Sequence, residues 1–88
     1  MTVQDSLIAG TIRQLLAARA PTASICPSEV ARALSDGQPG WRRWMPDIRR
    51  VAAGMAAEGT LVVTRGDQAV DALSPGGPVR LRRPPASD

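Results

Sequence analysis

Apolar side chains recur at three- and four-residue intervals from Leu7 through Ile8, Ile12, Leu15 and Leu16, which predicts an amphipathic helix running to Arg19. Thr2 stands where it can cap that helix, and Asp5 lies three residues on, as in a capping box. Ala20-Pro21-Thr22 breaks the helix, and Ala23 to Ile25 has room only for a short extended piece that pairs with a later hairpin. A second helix begins at once in CPSEVARAL. Pro27 takes its first position, Glu29 can reach back to the cap, and Val30 and Leu34 face inward. Ser35-Asp36-Gly37 ends it.

The third helical segment follows the linker SDGQPG, and Pro46 sets its start. A proline inside a helix removes a backbone hydrogen bond and clashes with the preceding turn, at about 3 kcal/mol, so Trp41 to Met45 should form a separate turn. From Pro46 onward Ile48, Val51, Ala52 and Met55 share one face, and Gly59 supplies a left-handed stop. The opposite face carries Arg50, Ala53 and Ala57, flanked by Arg49 and Gly54. After Gly59 the period becomes that of strands. Thr60 to Arg65 is β-branched and apolar, Gly66-Asp67-Gln68 is turn material, and Ala69 to Asp71 begins a return interrupted by a loop from Ala72 to Pro78. In VRLRR, alternation puts Val79, Leu81 and Arg83 on one face and Arg80 and Arg82 on the other. The loop SPGGP lacks the lysine and the flanking strand and helix of a phosphate cradle and reads as a flexible hairpin tip. Residues 1–83 are expected to form a single domain and residues 84–88 a disordered tail.

Composition narrows the chemistry. The 88 residues contain no His and no Lys, which removes Ser-His and Cys-His nucleophiles, Schiff-base lysines and a phosphate-loop lysine together. No pair of carboxylates falls at a spacing that builds a site, so the chain is not expected to be an enzyme or to hold a cofactor. The single thiol, Cys26, cannot form an internal disulfide and, without histidines, cannot anchor zinc. It reads as a small buried or capping thiol in a protein of the cytosol. The N-terminus lacks a basic leader before an apolar run, and no stretch of 18 apolar residues occurs, so neither export by a recognisable signal nor a membrane span is expected.

Net charge is only +3, but it is unevenly placed. Residues 1 to 40 balance. Arg42, Arg43, Arg49 and Arg50 against Asp47 then make a cluster of +3, and Arg80, Arg82 and Arg83 make another. Two basic clusters on a neutral body suit a polyanion, because neutralising phosphates releases counterions. Both tryptophans lie in the first cluster, in a chain with no Phe or Tyr. Indoles among arginines can stack on bases, yet a small interior needs filling, which predicts Trp44 inside with Met45 and Trp41 part-exposed.

Together the helix stripe ending LLAAR, ICPSEVARAL, WRRWMPDIRRVAAGMAAEGTLVVT, AVD and GPVRLRR resemble a bacterial family of short winged-helix-like domains of unknown function. The resemblance implies an α+β winged helix-turn-helix, three helices followed by a small antiparallel β-hairpin, and it brings no catalytic residues to carry over. The function expected is binding of double-stranded DNA. Arg42, Arg43, Arg49 and Arg50 would meet phosphates from the third helix and the turn before it, and Arg80 and Arg82 would clamp the adjacent backbone. Removing Arg49 and Arg50 should then change the salt slope of duplex binding by about 2. Ala53, Gly54 and Ala57 offer no groups to read bases. With Trp41 they define the alternative, a protein-interaction or homodimer surface. The DNA reading requires the two arginine clusters to fold onto one side.

Overall fold

A computed structural model describes residues 2–85. Helix α1 spans Val3–Ala17, strand β1 Ser24–Ile25 and helix α2 Pro27–Leu34. A 3-10 turn at Trp41–Trp44 leads into helix α3, Met45–Ala57, and strands β2 (Val62–Arg65), β3 (Gln68–Ala69) and β4 (Arg80–Arg82) follow. The described residues are thus α+β, with three α-helices and a small antiparallel sheet.

Each helix boundary has a local cause. The Thr2 Oγ1 accepts from the Asp5 N–H at 3.0 Å, satisfying a donor that the first turn of α1 leaves free. The Asp5 carboxylate lies within reach of the Thr2 backbone, but its main partner is Arg50 of α3. At α2 the reciprocal bond does form, the Cys26 N–H donating to Glu29 Oε2 at 2.6 Å with Pro27 in the first turn. Pro46 likewise sits in the first turn of α3, so the 3-10 turn before it is separate, as the proline predicts. Gly59, at φ 79°, ends α3. The Thr60 N–H bonds Met55 O at 2.9 Å and the Gly59 N–H bonds Ala56 O at 3.0 Å, the paired closure of a Schellman motif.

The interior is aliphatic. Ile8, Ile12 and Leu16 of α1 meet Ile25, Val30, Ala31, Ile48, Val51, Ala52 and Met55, and Leu61, Val63, Val79 and Leu81 close the core from the sheet side. Two expectations need correction. The buried stripe of α1 runs through Asp5, Ile8, Ala9, Ile12 and Leu16, and Leu7, about 100° round the helix from Ile8, is 54% exposed. Trp44 and Met45 are not interior. Both indoles are half-buried and pack on the core margin, since isoleucines, valines and alanines already fill the centre and an indole is rarely fully buried.

The strand order is β1-β4-β2-β3, antiparallel throughout, which replaces the expected hairpin with a four-stranded sheet. Strand β4 is central, pairing Leu81 with Ile25 on one side and with Val63 on the other. The short piece at Ser24–Ile25 therefore joins the sheet through the last strand. The return strand begins earlier than its expected start at Ala69, at Gln68, and the SPGGP loop is tied down by Arg65, whose guanidinium donates to the carbonyls of Ser74, Pro75 and Gly77 at 3.1 to 3.3 Å. Of the expected disordered tail, residues 86–88 lie outside the described residues, and Pro84 and Pro85 line a groove on the sheet.

A candidate arginine interface before the third helix

Gly40, at φ 89°, takes the left-handed conformation that turns the chain into Trp41–Trp44, and the tight 3-10 turn then projects Arg42 and Arg43 into solvent. The Trp41 ring forms a platform. Guanidinium carbons of Arg42 and Arg32 lie over it, 4.4 and 4.7 Å from its centroid, within cation–π range. Arg32 comes from α2, outside either basic cluster, so composition gave no sign of its role. Trp41, Arg42, Met45, Pro46 and Arg49 line a shallow notch of about 580 Å³ beside this platform. None of Arg42, Arg43 and Arg49 forms an ion pair among the described residues.

Arg50 is placed differently. Its guanidinium grips both oxygens of Asp5 at 2.7 and 2.9 Å and also donates to Asp47 Oδ1 at 3.3 Å. Hydrogen bonds from Arg50 hold the Asp5 carboxyl well below its ordinary 3.8, at about 2, and the same contacts raise Arg50 further. Two carboxylates thus compensate a charge that the sequence reading assigned to phosphate.

The second cluster lies at the other end of α1. Arg80 donates to Ser24 Oγ and Ser24 O, both at 3.0 Å, and Arg83 donates to Arg19 O at 2.7 Å. Nearby, Arg19 pairs with Glu29 at 2.6 Å. Burial pushes the Glu29 carboxyl up, and hydrogen bonds from the Cys26 N–H and from Arg19 outweigh that effect, leaving it below its ordinary value. Asp5, which marks the Arg50 end, and Ala17, the last residue of α1 just before Arg19, are 12 residues apart, roughly 18 Å at 1.5 Å per helical residue. The single basic patch expected from the sequence is therefore not formed: Arg42, Arg43 and Arg49 gather at one end, Arg50 is engaged by carboxylates, and Arg80 and Arg82 sit on the sheet at the other. The alternative surface divides too. Trp41 precedes the first turn of α3, whereas exposed Gly54 and Ala57 belong to its last, and Ala53 is half-buried on the core.

A family of proteins of unknown function (DUF3253) matches residues 5–84. The chain belongs to this family. No curated protein matches it. The matched span runs from the first turn of α1 past the end of β4. Among the described residues no group of three or more His, Cys, Asp or Glu could hold a metal ion, and no helix is long and apolar enough to cross a membrane.

Proposed function

We propose that this chain is a winged helix-turn-helix module that binds double-stranded DNA through arginine contacts to the phosphate backbone, centred on Arg42, Arg43 and Arg49. The fold reading is supported by the order helix, strand, helix, helix, strands, with the first strand joined to the last across one antiparallel sheet. The binding reading rests on one observation, that among the described residues Arg42, Arg43 and Arg49 around the start of α3 pair with no carboxylate, beside an indole over which Arg42 and Arg32 lie. Such a surface attracts phosphate at long range and releases counterions on contact. It reads little sequence, because the helix face beyond it carries Ala53, Gly54 and Ala57. Arg50 contributes little net charge while Asp5 and Asp47 hold it, and Arg80 and Arg82 take no part in the first contact.

Titration of random duplex DNA over a series of salt concentrations tests this directly. Each phosphate contact contributes about 0.9 to the slope of log K against log salt, so replacing Arg42, Arg43 and Arg49 with alanine should reduce the slope by nearly 3. The double substitution Arg80→Ala and Arg82→Ala should leave it unchanged. An unaltered slope in the triple variant defeats the proposal. A concentration-dependent dimer in light scattering that ignores duplex would instead favour the protein-interaction reading of Trp41, Gly54 and Ala57.

A further inference from the structure

The sheet face turned away from the helices carries a groove that the arginine interface does not use. Pairing places Val62 and Thr64 of β2 beside Arg82 and Arg80 of β4, with Ala69 of β3 opposite Thr64, while Ile25, Val63 and Leu81 point the other way into the core. Pro21 on one side and Pro84 and Pro85 on another complete a cavity of about 770 Å³. That size falls in the range of small-molecule sites, roughly 300 to 1,000 Å³.

Its polar groups are unmatched. Thr64 is only 7% exposed, yet its Oγ1 has no hydrogen-bond partner among the described residues, and neither has the Nε of Arg82 or of Arg83. Buried donors are normally satisfied, so three orphans around one groove amount to a deficit of acceptors there. Among the described residues Arg82 makes no ion pair, although Asp67 also lines the cavity. Arg82 and Arg83 against Asp67 leave one positive charge in excess, and Arg83 already donates to Arg19 O. The rest of the lining is apolar: Val62, Ala69 and the prolines.

We propose that this groove binds a small monoanionic carboxylic acid with an apolar, ring-sized body, its carboxylate held by the Arg82 guanidinium and the Thr64 hydroxyl. A planar carboxylate presents two acceptors in the spacing of the guanidinium fork, and the hydroxyl rotates to donate to one of them. The ring lies against Val62 and Ala69. A dianion such as phosphate fits less well, since the single excess charge and Asp67 disfavour a second negative charge. The site stands apart from the DNA reading, and neither depends on the other.

Benzoate is a direct probe, followed by the amide resonances of the full chain. Benzoate should move the amides of β2 and β4 saturably, with benzamide and inorganic phosphate at least about tenfold weaker, as expected for loss of a charge-assisted hydrogen bond or of shape. Arg82→Gln should weaken benzoate by about tenfold or more. Thr64→Val, which suits a strand and removes the orphaned hydroxyl, should weaken it several-fold while leaving the protein at least as stable. Absence of saturable shifts, benzamide or phosphate binding as tightly as benzoate, or unchanged affinity in either variant overturns the proposal. Should Arg82→Gln fail to fold, Thr64→Val decides alone.

Discussion

Asp5 and Arg50 come from positions 45 residues apart and meet fork to fork, tying the first turn of α1 to the start of α3. In the unfolded chain the Asp5 carboxyl returns to its ordinary 3.8, whereas in the fold it lies at about 2, so the folded protein binds its proton less readily. The pair's contribution is complete above about pH 4, declines as acid protonates Asp5, and is gone below about pH 2. Acid unfolding of the parent should show this loss, and Asp5→Asn should be less stable at neutral pH yet lack that part of the pH dependence. Titration of the Asp5 carboxyl by NMR near its ordinary value would contradict the geometry. The same contact alters what the arginines can do. Under the proposed duplex binding, removing Arg49 and Arg50 together should change the salt slope by about 1, not the 2 expected from counting charges, because Asp5 and Asp47 already hold Arg50.

Among the elements, what could be read ahead of the structure was what short-range physics dictates. Pro27, Pro46 and Gly59 act within a turn of themselves, so the starts of α2 and α3 and the stop of α3 were legible. The buried face of α3 followed from spacing alone. Less legible were features that depend on partners far along the chain. Nothing in VRLRR says that β4 lies between β1 and β2, nothing in Asp5 names Arg50, and Arg32 reaches Trp41 only because α2 packs on the 3-10 turn. The site was least legible, since arginines adjacent in sequence need not share one surface once folded. Glycine substitutions probe the legible part. Gly59→Ala forces a side chain into the left-handed region and should cost about 1 kcal/mol in urea unfolding, whereas Gly54→Ala, exposed at the start of the last turn of α3 with open space around its Cα, should stabilise by up to about 1 kcal/mol. Equal effects at the two positions would refute the closure assigned to Gly59.

For the molecule as a whole, stability rests on an aliphatic centre that β4 closes. At 88 residues a total of about 4 to 13 kcal/mol is expected, so one core truncation consumes a large share. Leu81 is fully buried on strand β4, between Ile25 of β1 and Val63 of β2, and belongs to the same core cluster as the buried residues of α1 and α3. Leu81→Ala should therefore cost about 2 to 5 kcal/mol, with the urea midpoint moving and the slope unchanged. Leu7, chemically the same residue and next to the buried Ile8, projects into solvent, so Leu7→Ala should stay within about 0.5 kcal/mol of the parent. Comparable losses at Leu7 and Leu81 would mean that the buried stripe of α1 is rotated from where it stands. That rotation would also carry Asp5 away from Arg50, so this pair of leucines tests the helix orientation on which the separation of the two arginine groups depends.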